Sequence, residues 1–412
     1  MITMSQSSLN DIFRSYTNKV GLFKDKNALS SDFTPDNIPH REKQIEELAH
    51  VIAPVLRNEK PSNIFIYGKT GTGKSLCIRK VTSSLEEAAK ESGRKVKIIY
   101  INCKMKKISD TEYRMLTNII SFFGENVPFT GLPTNTLYQK LTKHIENYGG
   151  SVIFVFDEID ALLGKVGNEI LYTITRINQD INSSGSKITI IGISNKVGFI
   201  DQLDPRIRSS LSEEEMVFPP YNAQEIKDIL EARVSMAFNE NTVEYGAIRK
   251  CAALAAQENG DARKALDLLR VAAELCEREG KTTVNESYIN KAQAKIDKDR
   301  VVEVVKSQPK HSKIVLLSMI KLYGKSQKAM QTGDVYMLYE KLTNQYGLKA
   351  LTQRRVSDLI SELDMLGVIN ASIVSKGRYG RTRKINLQLN PDLIKIMTRT
   401  LAYEFPESFL NV

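Results

Sequence analysis

Eight consecutive residues, Gly68-Lys69-Thr70-Gly71-Thr72-Gly73-Lys74-Ser75, have types and spacing suited to holding phosphate. Their glycines let successive backbone N–H groups turn toward one point and present a concave set of donors to an anion. Lys74 adds a positive charge that reaches β- and γ-phosphates, and the Ser75 hydroxyl is a hard oxygen ligand for Mg²⁺. The apolar run Asn63-Ile64-Phe65-Ile66-Tyr67 precedes this loop and a helical pattern follows it. In that setting the loop sits at a helix N-terminus, where unpaired N–H groups and the helix dipole favour an anion. The sequence thus predicts that Gly68, Thr70, Gly71, Thr72, Gly73, Lys74, Ser75 and Leu76 contact a nucleoside triphosphate, with ATP or ADP and Mg²⁺ as cofactors.

A metal ion on those phosphates needs further oxygen ligands, and the apolar run Val152-Ile153-Phe154-Val155-Phe156 ends in Asp157-Glu158. Asp157 is the expected partner of Ser75 on Mg²⁺, directly or through water, and Glu158 the group that polarises an attacking water. The bland alternative for such a pair is a helix cap. A further run, Ile190-Ile191-Gly192-Ile193-Ser194, ends in Asn195. An Asn at a strand end commonly forms a turn, but its order after two phosphate motifs points to orienting the water or sensing the γ-phosphate.

These groups must arrive at one edge of a sheet. Short β-rich runs at 63–67, 96–102, 152–156, 188–194 and 216–218 alternate with helical patterns, the signature of an α/β fold with a parallel sheet. The unbroken apolar character of 152–156 predicts a central strand covered on both faces. From Ala223 onward, helical patterns at 223–238, 245–257 and 261–279 predict an all-helical subdomain. A polar stretch at 292–310 predicts an exposed linking helix that breaks at Pro309. The expected division is 1–218, 219–300 and 301–412.

At 412 residues the chain exceeds one compact core. No run approaches the roughly 18 apolar residues that span a bilayer, and the first residues lack a charged-then-apolar leader pattern. An intracellular protein with no membrane partner is expected. Cys77, Cys103, Cys251 and Cys276 lack metal-ligand spacing and read as buried thiols. The net charge of +10 is uneven, because residues 301–412 carry 17 Lys or Arg against 9 Asp or Glu. A basic module appended to a near-neutral one suits a polyanionic partner, of which nucleic acid is the commonest.

That module contains helical patterns at 312–323, 332–346 and 352–366, then strand patterns at 368–375 and 383–389, the order of a winged helix. Its third helix begins Thr352-Gln353-Arg354-Arg355-Val356-Ser357, with Thr352 as cap and Gly367 as stop. Gln353, Arg354, Arg355 and Ser357 stand at the end that such helices insert into a major groove, where Arg pairs with guanine and Gln with adenine. The turn Lys376-Gly377-Arg378-Tyr379-Gly380-Arg381-Thr382-Arg383-Lys384 carries five cations. Lys376, Arg378, Arg381 and Arg383 are candidates to track phosphates or enter a minor groove, while Tyr379 either contacts the nucleic acid or packs beneath the turn.

Taken in order, the loop at Gly68, the acidic pair Asp157-Glu158, Asn195, Leu203-Asp204-Pro205-Arg206-Ile207-Arg208-Ser209-Ser210-Leu211 and Gly260-Asp261-Ala262-Arg263-Lys264-Ala265-Leu266 resemble an AAA+ ATPase of the initiator clade. More narrowly, the chain resembles archaeal origin-recognition proteins of the Orc/Cdc type from about Phe23 to its C-terminus. The resemblance implies an AAA+ base, a helical lid and a C-terminal winged helix. It implies that Arg263 is a second sensor closing the lid on the γ-phosphate, that Tyr221 and Arg233 line the nucleotide, and that Ile38-Pro39-His40-Arg41-Glu42 packs near the adenine. Arg206 or Arg208 matches the arginine finger given to a neighbouring protomer; either is otherwise an ion-pair partner of Asp201 or Asp204. The region 109–148 matches an initiator insertion that contacts DNA or serves packing. The implied activity is that of an ATP-controlled replication initiator, a weak ATPase acting as a switch, which recognises double-stranded origin DNA and recruits a replicative helicase together with other initiator protomers. A DNA-stimulated remodelling ATPase and an ADP-bound transcriptional regulator are the competing readings.

Overall fold

Alternation along β1 (Asn63–Tyr67) sends Ile64 and Ile66 to one face of a sheet and Phe65 and Tyr67 to the other, and all are buried. The same holds for β3 (Ser151–Asp157), where Ile153 and Val155 oppose Phe154 and Phe156. With β2 (Val96–Asn102), β4 (Lys187–Ser194) and β5 (Glu213–Val217), these strands form a parallel sheet ordered β2-β3-β4-β1-β5. The computed structural model describes residues 21–31, 33–105, 111–128, 130–167, 169–181, 185–196, 198, 203–205, 208, 213–375, 381–387 and 391–405. It falls into two compact units, residues 1–289 and 290–412.

In the first unit, α1 (Glu42–Ile52) and α2 (Lys74–Glu91) cover the Ile64 face, in a core with Cys77, Ile78 and Val81. Helices α3 (Glu112–Ser121), α4 (Thr134–Tyr148), α5 (Ile159–Val166) and α6 (Glu169–Asp180) cover the Phe65 face. Both helices of the 109–148 region, α3 and α4, bury apolar residues such as Leu116, Ile120, Leu141 and Ile145 in that core, so their packing role is plain. Because β1 lies between β4 and β5, the path from β1 to β2 passes over two strands. Strand order reverses there, and ligands of open α/β sheets bind at the carboxyl ends beside such a point. The loops after β1, β3 and β4 carry the phosphate motif, Asp157-Glu158 and Asn195 to this edge. Three helices follow: α7 (Ala223–Ala237), α8 (Tyr245–Gln257) and α9 (Ala262–Arg278). Asn222 and Glu225 form a capping box on α7, and Asp261 caps α9.

The linking helix differs from expectation. Helix α10 (Glu286–Ser307) starts earlier than the polar stretch suggested and buries Ala292, Val301 and Val305; the two valines, four apart, share one helical face that the local charge masks. In the second unit, α11 (Lys310–Ser326), α12 (Thr332–Gln345) and α13 (Gln353–Met365) precede an antiparallel sheet in which β8 (Arg381–Asn386) lies between β6 (Met330–Gln331) and β7 (Asn370–Ser375), and α14 (Pro391–Ala402) follows. Pro309 caps α11 rather than merely ending α10. Thr352 caps α13 as predicted, accepting from Arg355 N at 3.4 Å. The sequence pattern does not predict β6, which is two residues long, or α14.

Close packing leaves no room at Gly192 in β4, where an added Cβ would stand 2.6 Å from the Phe65 ring. Gly192→Val is expected to destabilise the first unit by roughly 1 to 3 kcal/mol through overpacking, measured as a fall in the denaturant midpoint at constant slope.

Candidate functional site

The phosphate loop takes its shape from backbone that a side chain would block. Gly71 and Gly73 have φ of 71° and 91°, and an added Cβ would lie 1.7 Å from Asp261 Oδ1 at Gly71 and 2.8 Å from the Tyr221 hydroxyl at Gly73. Gly73 caps α2, whose first residue is Lys74. Lys74 Nζ donates to the carbonyls of Gly68 and Lys69, each at 2.7 Å, and to Asn195 Oδ1 at 3.0 Å. Burial pushes the Lys74 pKa down to about 8, and Arg263 lowers it too, against the opposing pull of Asp157, Asp261 and Glu158. The Thr72 hydroxyl donates to the Lys69 carbonyl at 2.9 Å and closes the loop on itself.

Thr70, Gly71, Thr72, Gly73, Lys74, Ser75 and Leu76 line one cavity of about 250 Å³ with Asp157, Glu158, Asn195, Tyr221, Arg233 and Arg263. Asp157 is buried and accepts a hydrogen bond from the Tyr100 hydroxyl. Glu158 has φ of 55°, a left-handed conformation sparsely used by non-glycine residues, and its carboxylate lies 3.4 Å from Lys104 Nζ. Arg263 opens α9, and its backbone N–H donates to Asp261 Oδ1 at 2.9 Å. Ile38, Ile229, Met236 and Leu266 give the cavity an apolar end. Arg233 reaches the wall differently from expectation: its guanidinium donates to the Ala28 and Phe33 carbonyls at 3.1 and 3.2 Å, fastening the segment before α1 to α7. Arg208 is exposed and is not among the lining residues; Arg206 lies outside the described residues.

In the second unit Gln353, Arg354 and Ser357 line a surface depression of about 440 Å³ with Ile373, Thr382 and Arg383. The Arg383 guanidinium donates to the Ser357 carbonyl at 2.6 Å and to the Ser361 hydroxyl, so it ties β8 to α13. Arg355 pairs along its own helix with Glu362 at 3.5 Å and Asp358 at 3.9 Å. Lys376, Arg378 and Tyr379 lie outside the described residues, and of Arg381 only the backbone is described.

Three family models match in succession: an AAA domain over residues 57–196, a Cdc6 AAA+ ATPase-type lid domain over 227–294, and a CDC6 C-terminal winged helix domain over 303–396. An ORC1-type DNA replication protein of Thermococcus onnurineus is 50% identical over 400 residues, covering 96% of this chain and 95% of its own. One of Sulfolobus acidocaldarius is 45% identical over 388 residues, or 94% and 96%. The chain belongs to the ORC1-type DNA replication protein family. The structure of Aeropyrum pernix ORC1 in complex with DNA is similar with a TM-score of 0.81 at 43% identity, covering 94% of this chain and 98% of that one. CDC6P of Pyrobaculum aerophilum, 21% identical with a TM-score of 0.59 over 93% of this chain and all of that one, shares the fold. The expected AAA+ sheet, helical lid and C-terminal winged helix are present.

An AAA+ ATPase family implies a nucleotide, and typically Mg²⁺. The residues of this ORC1-type chain fit both. Mg²⁺ prefers few protein oxygens together with phosphates and water, and Ser75 and Asp157 supply a hydroxyl and a carboxylate beside the loop. No group of three or more His, Cys, Asp or Glu stands in metal-binding array among the described residues. Among the same residues no helix is long and apolar enough to cross a membrane, and all four cysteines are buried thiols.

Motif reading gave no role to Arg41 individually. Nearly fully buried, it donates from Nε to the Thr72 carbonyl at 2.9 Å, from one terminal nitrogen to the His40 carbonyl at 3.0 Å, and from the other to the Pro219 carbonyl at 2.6 Å. Its guanidinium carbon stands 3.8 Å from the centroid of the Tyr221 ring. A lysine cannot reproduce that planar fork. Arg41→Lys is expected to cost roughly 1 to 3 kcal/mol of stability, because buried carbonyls lose their donors, and to weaken nucleotide binding; denaturation and ligand titration check both.

A phosphate beside Lys74 favours the ammonium form, so binding above about pH 8 is expected to draw a proton from solution. At pH 9 calorimetry of ADP binding in buffers of different ionisation enthalpy is expected to show uptake of about one proton, and at pH 7 far less. Heats independent of buffer at pH 9 contradict this account of Lys74.

Proposed function

We propose that this protein is an ATP-controlled replication initiator that recognises double-stranded origin DNA. One observation carries the reading most: a single cavity joins the phosphate loop to Asp157, Glu158, Asn195 and the lid residue Arg263, with Lys74 hydrogen-bonded to Asn195 at 3.0 Å. A nucleotide there would supply the phosphates and carry Mg²⁺ to Ser75 and Asp157. Backbone N–H groups from Gly71 to Lys74 cradle the phosphates, Lys74 balances their charge, and the apolar end takes the base. Glu158 orients and deprotonates water, and Asn195 holds that water or the γ-phosphate. Arg263 senses the γ-phosphate from the lid, so that ATP and ADP favour different lid positions.

Arg208 or Arg206 serves a neighbouring protomer as the finger. Such a residue is worth on the order of 10³ to 10⁵ in rate in other nucleotide hydrolases, so hydrolysis by one protomer is slow. It acts as a switch, ending a state that recruits the replicative helicase. In this reading residues 1–218 are the AAA+ base, 219–300 the lid and 301–412 the DNA-reading module, which acts in the cytoplasm on the nucleoid. Gln353, Arg354 and Ser357 read bases from α13, with Arg355 at the phosphates. Arg383 holds α13 to β8, and Lys376, Arg378, Tyr379 and Arg381 extend the contact along the groove. The similar fold of the Aeropyrum pernix ORC1 protein in its complex with DNA supports this reading.

Footprinting of the genome's replication start regions at near-physiological salt tests it. Discrete protected elements are expected, and Arg354→Ala is expected to cost about 1 to 3 kcal/mol at a guanine it reads while sparing nonspecific binding. Lys74→Ala is expected to abolish nucleotide binding, and Glu158→Gln to keep binding while stopping turnover. Position-independent coverage that salt removes, or robust multiple turnover by isolated protomers, would sink the proposal in favour of a remodelling ATPase.

A further inference from the structure

Tyr100 lies on β2 two residues before Asn102, which pairs with Asp157 across the β2-β3 ladder. Alternation turns Tyr100 to the face that α2 covers, where it packs against the core containing Cys77 and Ile78. Its hydroxyl donates to Asp157 Oδ2. Arg79 of α2 stands over its ring at 5.1 Å from the centroid. We infer that Tyr100 is a positioning residue for the divalent ion, holding Asp157 in the orientation that a small hard cation requires. The inference rests on reading the cavity as a Mg-nucleotide site.

Mg²⁺ tolerates little departure from octahedral geometry. A carboxylate with two equivalent oxygens and a free torsion must be ordered before it can serve, and a hydrogen bond to one oxygen leaves the other to face the ion. Tyr100 supplies that bond from a strand rather than a loop, so the donor is as rigid as the sheet.

Tyr100→Phe removes one oxygen and keeps the ring. In the full-length protein, Mn²⁺ binding in the presence of ADP, followed by electron paramagnetic resonance, is expected to weaken about 10- to 100-fold. ADP affinity in EDTA and the melting midpoint without metal are expected to stay at wild-type values. Unchanged Mn²⁺ affinity in the variant overturns the inference, and so does an equal loss of ADP affinity with and without metal, which assigns the hydroxyl to packing. Wild-type protein that binds no ADP under either condition overturns instead the underlying reading of the cavity.

Discussion

The phosphate loop and the segments on either side of it are joined through the Arg41 guanidinium. One planar cation satisfies the carbonyls of Thr72, His40 and Pro219 and stacks on Tyr221. Those partners belong to the phosphate loop, the segment before α1 and the passage from β5 toward α7. A side chain with a single donor point could not bind three diverging carbonyls, and three separate side chains would not move together. The loop is held from its other side by the start of α9 and the turn before it: Ala262 N–H donates to the Gly71 carbonyl at 3.3 Å, and Lys69 Nζ donates to Asn259 Oδ1 at 2.8 Å. The phosphate loop is thereby clamped between base and lid, and its glycines are required by contact as well as by backbone angle.

Within that clamp the charges are arranged around an anion. Lys74 is buried, depressed in pKa and bonded to two backbone carbonyls and Asn195. A partly desolvated ammonium gains more from an arriving phosphate than an exposed one does, because its hydration has already been given up. Glu158 takes a left-handed conformation and pairs with Lys104 Nζ at 3.4 Å. That sparsely populated backbone falls at the acidic residue to which the proposed function gives the activation of water.

The second unit uses its cations in two ways that charge counting merges. Arg383 is engaged by the backbone and a hydroxyl of α13, and Arg355 by carboxylates along its own helix. Gln353 and Arg354 line the depression at the start of α13. A surplus of positive charge therefore says that a face suits a polyanion, whereas the hydrogen bonds pick out the side chains, such as Arg383, that build the face.

Much of this molecule was legible in one dimension. The phosphate loop, Asp157-Glu158 and Asn195 follow runs whose apolar continuity marks buried parallel strands, and consecutive residues must stay together in any fold. Caps such as Thr352 are equally local. Strand β5, entered through Glu213-Glu214-Glu215, and the buried side of α10 were poorly marked because charge hides the face that packs. The sequence alone determined the chemistry available, a phosphate-binding loop with acidic partners and a basic winged helix, since those signals lie in contiguous residues. Tertiary structure alone decided that Arg41 joins Thr72 to Pro219, that Tyr100 reaches Asp157, and that Arg233 binds Ala28 and Phe33. The reason is physical: these contacts link residues tens to hundreds of positions apart, and only closure of the sheet and docking of the helices brings them within hydrogen-bonding distance.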